Sequence, residues 1–238
     1  MRDPADIAVP ENLWAVIPVK PFAEGKSRLG LPEQERCAVN RAFLNHVLET
    51  VGAVVPRSRI VTVSRDREAL ALACAQGARG LAEAPGGDLN HALAQGAAYS
   101  QALGASAVLS ISTDLPYLST DDVCAMIAAF KTDEVAVLAP DDQEVGTNAI
   151  LMRPLAMPYH HGVGSLALHC CASEAATLSP VLVRRSGLAR DVDTPAAYRA
   201  LLREAAPNSP IRAASAMTSD AKAIFRDKFG IAMSARAI

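Results

Sequence analysis

The sequence predicts an α/β domain in which a mostly parallel central sheet carries helices on both faces. Three observations lead there. Short apolar or β-branched runs alternate with longer stretches of helical periodicity, the order in which parallel strands are joined by crossover helices. Alanine makes up about a fifth of the chain while aromatic residues are 4% of it, a balance that favours small-residue helices packed on a sheet over an aromatic-rich all-β fold. The connecting segments are rich in Pro, Gly and Asp, which end regular elements.

The elements follow in order. Leu13 to Val19 is a short buried strand that stops at Pro18-Val19-Lys20-Pro21. From Pro32 to about Val55 the apolar positions Val39, Phe43, Val47 and Val51 recur every four residues, so this stretch is helical. Arg59 to Ser64 (RIVTVS) is strand-like, Glu68 to Gln76 and Asp88 to Leu103 are helical, and Ala107 to Ser112 (AVLSIS) is a buried strand running into Thr113-Asp114-Leu115-Pro116. Ser119 to Asp122 offers the hydroxyls and carboxylates that cap a helix. Glu134 to Leu138, Asn148 to Met152 and Val181 to Val183 complete the strands, and Asp193 or Thr194 precedes a helix opened by Pro195. The breaker cluster Pro207-Asn208-Ser209-Pro210 separates a domain of residues 1–208 from an extension of residues 209–238, helical around Ser219 to Phe229 or partly disordered.

Composition narrows the function. With 238 residues, half of them hydrophobic, the chain can bury a sizeable core; 23 basic against 25 acidic side chains leave a net charge of −2 and no field for a nucleic-acid backbone. Small anions are the expected partners. No apolar run approaches the roughly 18 residues of a membrane helix, and the first twelve residues, with Asp3, Asp6 and Glu11, lack a secretion signal. A cytoplasmic protein with no membrane partner is therefore expected. Five cysteines, never spaced C-x-x-C, read as buried free thiols.

In such sheets ligands bind at the carboxyl ends of the strands, so the loops found there carry the candidate chemistry. Lys20, Lys26 and Arg28 follow the first strand, where cations can neutralise phosphates, or else form a solvated basic loop. Gly25-Lys26-Ser27 ends like a phosphate-binding loop, but that motif needs glycine where Lys20 stands. Asp114 can reach a metal from its strand end or simply start a turn. Asp191 and Asp193, two apart in an extended segment, share a face and can meet one hard cation, unless they serve only the following helix. The same pair resembles the opening motif of haloacid-dehalogenase-type phosphatases, but Pro195 stands where that motif needs Thr or Val. Thr147, in Gly146-Thr147-Asn148, and Gly162 and Ser165, in His161-Gly162-Val163-Gly164-Ser165, form glycine-bearing loops of the kind that let an anion approach backbone N–H groups, Ser165 being cap or ligand. His160, His161 and His169 have no convincing zinc spacing.

Taken together and in order, Ile17-Pro18-Val19-Lys20-Pro21, Lys26-Ser27-Arg28-Leu29, Asp88-Leu89-Asn90-His91-Ala92-Leu93, Thr113-Asp114-Leu115-Pro116, Gly146-Thr147-Asn148, Gly162-x-Gly164-Ser165 and Asp191-Val192-Asp193-Thr194-Pro195 resemble one family. It is the guanylyltransferase family of coenzyme F-420 biosynthesis, which acts on 2-phospho-L-lactate, phosphoenolpyruvate or 3-phosphoglycerate. The resemblance runs from about Leu13 to Leu202. It implies a Rossmann-like nucleotidyltransferase fold of glycosyltransferase-A type, GTP and a small phosphorylated carboxylic acid as substrates, and Mg²⁺ as cofactor. By position, Lys20, Lys26 and Arg28 would hold the triphosphate, Asn90 would lie near the nucleoside, and Asp114, Asp191 and Asp193 would bind the metal. Thr147, Gly162 and Ser165 match the positions that hold the acid. A homodimer is allowed, and the product would pass to a downstream transferase. Two departures touch the acid side: Gln143-Glu144-Val145 replaces a glycine-rich turn, and His161 and Val163 replace the Phe and Pro of the usual Phe-Gly-Pro-Gly-Ser. Two histidines there would suit a more polar or bulkier acid such as 3-phosphoglycerate. Another nucleotidyltransferase of the same fold, of molybdenum-cofactor or sugar-phosphate type, and a non-catalytic nucleotide-binding protein are the alternatives.

Overall fold

The computed structural model describes residues 10–205 together with Arg212, Ala213 and Ser215. Seven strands form one sheet: β1 (Leu13–Val19), β2 (Ile60–Ser64), β3 (Arg79–Ala82), β4 (Ala107–Ile111), β5 (Val135–Pro140), β6 (Thr147–Met152) and β7 (Ser179–Leu182), in the order β3-β2-β1-β4-β6-β5-β7. Only β6 runs against its neighbours, pairing antiparallel with β4 and β5. The helices are α1 (Glu33–Gly52), α2 (Arg67–Ala75), α3 (Leu89–Ala102), α4 (Thr120–Ala129), α5 (Ser165–Ala175), the single turn α6 (Ser186–Ala189) and α7 (Pro195–Glu204).

Strand alternation sorts the core into two layers. In β1, Leu13, Ala15, Ile17 and Val19 face a cluster with Leu44, Val47 and Leu48 of α1, Ala69 and Ala73 of α2, and Val123 and Met126 of α4. Trp14 and Val16 face the other way, onto Ala92, Leu93 and Ala97 of α3 and Leu166 of α5. Each fully buried Leu, Val or Ile stabilises the fold by roughly 1.5–3 kcal/mol. A third cluster joins Leu29, Val39, Phe43, Val192, Tyr198 and Leu201, so that α7 packs on α1 and on the short turn Ser27–Leu29.

The α/β expectation and its covering helices on both faces hold. Ser119 caps α4 in a reciprocal box with Asp122, and Thr194, rather than Asp193, caps α7, accepting from the Ala197 N–H. Strand β3 was not expected: it is a four-residue edge strand of mostly exposed residues, with no apolar run to signal it. Strand β7 starts two residues before the expected Val181. All five cysteines are free, but none is buried; Cys74 and Cys171 are exposed, because the faces that bury helix α2 and helix α5 are filled by alanine, leucine and histidine. The breaker cluster and the expected extension lie outside the described residues, save Arg212, Ala213 and Ser215.

Candidate active site

The site opens where β1 and β4 part. Their pairing ends at Val16 with Ser110, while β1 continues against β2 as far as Val19 with Ser64. Pro18, which has no N–H for a ladder, stands at the fork and lines the resulting cleft with Ser110, Ser112, Asp114, Asp141, Thr147, His161, Ser165, Asp191 and Asp193. Strand order reverses there too, since β1 leads out to β2 and β3 while β4 leads to the other half of the sheet. Ligand crevices form at such switch points.

One wall is a cation held by carboxylates. Lys26 has a left-handed backbone (φ 59°), rare for a residue with a side chain. Its ammonium is turned inward, with only 3% of the side chain exposed, and lies 2.8 Å from Asp114 Oδ1 and 2.7 Å from Asp193 Oδ1. The two carboxylates come from distant segments that one backbone bond fastens together: the Val192 N–H donates to the Asp114 carbonyl (3.1 Å). Val192 itself is buried in the α7 cluster, so alternation sends Asp191 and Asp193 the other way, into the cleft. Asn148 adds a second fastening by donating to the Leu188 carbonyl (2.9 Å).

Crowding leaves its mark on the acids. Burial, then the neighbouring Asp193 and Asp114 charges, push the Asp191 carboxyl up from 3.8 to about 6. Burial also raises Asp193, but the ammonium of Lys26, aided by Arg28 and Lys20, outweighs it and holds that carboxyl below its ordinary value. Lys20 and Arg28 themselves are exposed beside the site. Among the described residues no three acidic, His or Cys side chains already converge on a metal position. A hard cation such as Mg²⁺ takes one or two carboxylates and completes its shell with water and phosphate oxygens. Asp114 and Asp193, which already share one cation, fit that pattern.

The lining around Thr147 and Ser165 is polar, with Asp141 as the carboxylate beside Gly146. Gly162 (φ 145°) and Gly164 (φ 71°) adopt backbones closed to ordinary residues, and they turn the chain sharply into α5. Gly164 is the N-cap, so Ser165 is not the cap; its Oγ accepts from the Thr147 N–H (2.9 Å). The first helical N–H groups are partly taken, Ser165 N–H by the Gly162 carbonyl and Leu166 N–H by the Val145 carbonyl. Hydroxyls of Thr147 and Ser165 line the cleft in their place. Asn90 braces the same loop: its Oδ1 accepts from His161 N–H (2.7 Å) and its Nδ2 donates to the His161 carbonyl (3.2 Å). Its amide is thus turned to the loop.

Tyr159 and Ser110 were not singled out by sequence, and His169 was read there only as a helix residue or a ligand without zinc spacing. His169, fully buried, lies 3.0 Å from Thr147 Oγ1, its ring edge-on to His161 with centroids 4.9 Å apart. Tyr159 and Ser110 share a buried hydrogen bond of 2.7 Å beneath the cleft. The available signal was the i, i+4 spacing of Ser165 and His169, which places both on one helix face.

The fold and the relatives of this chain together define a nucleotidyltransferase. The fold is that of the nucleotide-diphospho-sugar transferase type: the model superposes with a TM-score of 0.64 on a candidate enzyme of that type from Desulfovibrio desulfuricans, at 16% identity, covering 92% of this chain and 98% of that one. The family model described as "Guanylyl transferase CofC like" matches residues 13–201, and the chain belongs to that family of guanylyltransferases. It is 36% identical over 204 residues to the phosphoenolpyruvate guanylyltransferase of Sphaerobacter thermophilus, covering 84% of this chain and 96% of that one. It is 27% identical over 186 residues to the 2-phospho-L-lactate guanylyltransferase of Methanobrevibacter smithii, covering 77% and 81%.

Proposed function

We propose that this chain transfers GMP from GTP to a small phosphorylated three-carbon acid, releasing pyrophosphate, as a step of coenzyme F-420 biosynthesis. The observation that carries the reading is a single cleft lined by Asp114 and Asp193, with the Lys26 ammonium buried between them, and by the Thr147 and Ser165 hydroxyls. A triphosphate needs cations and a metal-binding acid pair; a phosphorylated acid needs hydrogen-bond donors. Both sets of residues line the same cleft.

An oxygen of the acceptor's phosphate attacks the α-phosphorus of GTP, and the bond from that phosphorus to the bridging oxygen breaks as pyrophosphate leaves. The acceptor phosphate is already ionised near neutral pH, so no protein nucleophile is required. Lys20, Lys26 and Arg28 would neutralise the triphosphate and the leaving group, and the hydroxyl wall would hold the acceptor in line. Asp114 and Asp193, with Asp191 beside them, would hold Mg²⁺, which when bound screens the like charges of the two substrates. The place of action would be the cytoplasm, with the product passed to a downstream transferase.

Incubation with GTP and Mg²⁺ and, in turn, 2-phospholactate, phosphoenolpyruvate and 3-phosphoglycerate is expected to release pyrophosphate with one of them. Silence from folded protein with all three would overturn the reading.

A further inference from the structure

Two buried hydroxyls reach the cleft, each with one neighbour inside the protein. Ser165 Oγ accepts from the Thr147 N–H (2.9 Å) and Thr147 Oγ1 faces His169 Nδ1 (3.0 Å). Among the described residues no carbonyl, carboxylate or ring nitrogen receives a proton from Ser165 Oγ. The direction of the bond to Thr147 is decided on the far side of the imidazole. There the His160 backbone N–H donates to His169 Nε2 (2.9 Å). A backbone amide can only donate, so Nε2 carries a lone pair and the single proton of the neutral ring sits on Nδ1. The ring is neutral because it is entirely buried and has His161 and His160 for neighbours; burial above all pushes its pKa down to about 3, against the pull of the Ser165 carbonyl.

Nδ1–H therefore donates to Thr147 Oγ1. With that lone pair occupied, the Thr147 proton is left to point into the cleft. In the opposite tautomer the Thr147 hydroxyl would donate to Nδ1 and show an incoming anion only oxygen lone pairs. We propose that His169 is a positioning residue for the acceptor: held by the His160 N–H, it fixes Thr147 as a hydrogen-bond donor that, with Ser165, reads an anionic oxygen of the bound acid. This rests on the reading of the cleft as an acceptor site.

The geometry is tested on the intact wild type by long-range ¹⁵N–¹H correlation of ¹⁵N-histidine-labelled protein, with His169→Leu serving for assignment. The His169 ring is expected as the Nδ1–H tautomer at about pH 7; an Nε2–H ring would overturn the proposal. Kinetics test the role. Asparagine can place an amide N–H where Nδ1 stood, whereas glutamine reaches only the Nε2 position. His169→Gln is expected to raise the acceptor KM about tenfold or more with the GTP KM unmoved, and His169→Asn to restore most of it, as befits a hydrogen bond to a charged group. Thr147→Val should raise the acceptor KM similarly, with His169→Gln adding nothing on that background. Equal losses for Asn and Gln, a GTP KM that moves in step, or additive effects would each reject the role. A wild type inactive on all three acids would instead defeat the acceptor reading, with the tautomer still decided by its own spectrum.

Discussion

Lys26 joins the two chemical demands of the site, and its strained backbone is part of how. The left-handed conformation costs of order 1–3 kcal/mol for a residue with a side chain, and it is sustained because the ammonium meets two carboxylates. Asp114 is the partner whose loss is most informative. Its main-chain carbonyl, not its side chain, pins Val192, so Asp114→Asn should leave the fold intact. The same change should lower kcat at least 100-fold, roughly 2.7 kcal/mol in barrier, by weakening the hold on the metal and nucleotide. Steady-state pyrophosphate release alongside a circular-dichroism melt checks both halves; a rate within about threefold of wild type would remove Asp114 from the site. The Asp191-x-Asp193 pairing was legible in the sequence, because a period of two with a buried valine between is a local property. The Lys26 to Asp193 contact was not, since it spans 167 residues and depends on where α7 docks.

At the scale of elements, the cleft depends on how closely α3 lies against β1 and β2. Gly96 makes that approach possible: a Cβ there would stand 2.5 Å from Val16 Cγ1 and 3.0 Å from Val63 Cγ2, both in buried strands that cannot yield. In an open helix Gly→Ala would gain up to about 1 kcal/mol, but overpacking a tight core costs about 1–3 kcal/mol. Gly96→Ala is therefore expected to destabilise the protein, read as a lower denaturant midpoint at unchanged slope. An unchanged or higher midpoint would show that α3 can shift outward. Helix α7 is fastened differently, by the Thr194 cap and by Arg190, which stacks 3.7 Å over the Tyr117 ring and pairs with Glu204. The cap was readable from Thr194-Pro195; the stacking on Tyr117 needed the fold.

For the whole molecule, histidines kept neutral by burial set the response to acid, His161 and His169 most and His46 in the same direction. Burial first of all pushes His161 down to about 4 and His169 to about 3, whereas in the unfolded chain both titrate near 6.5. Between those values the unfolded chain binds more protons, so stability rises with pH and is complete above about 6.5. Asp191, raised to about 6, works in the opposite sense between 3.8 and that value and offsets only part of the histidines' effect. The melting temperature should therefore fall as pH drops from about 6.5 toward about 5, and His161→Phe should flatten most of that fall. Thermal melts in metal-free buffer check it; a profile unaltered by the substitution would contradict the buried neutral ring.

The sequence by itself determined the alternation of strands and helices, the cations after the first strand, the acids in later loops, and the family, because each is written in local pattern or ordered motif. It did not show the edge strand β3, whose four residues carry too little hydrophobic signal to outweigh a loop. Nor did it show that Asn90 turns to the His161 backbone, or which way the proton lies between His169 and Thr147. Those were decided only by the tertiary structure, since a hydrogen bond's partner and direction depend on groups that the sheet order, not the chain order, brings together.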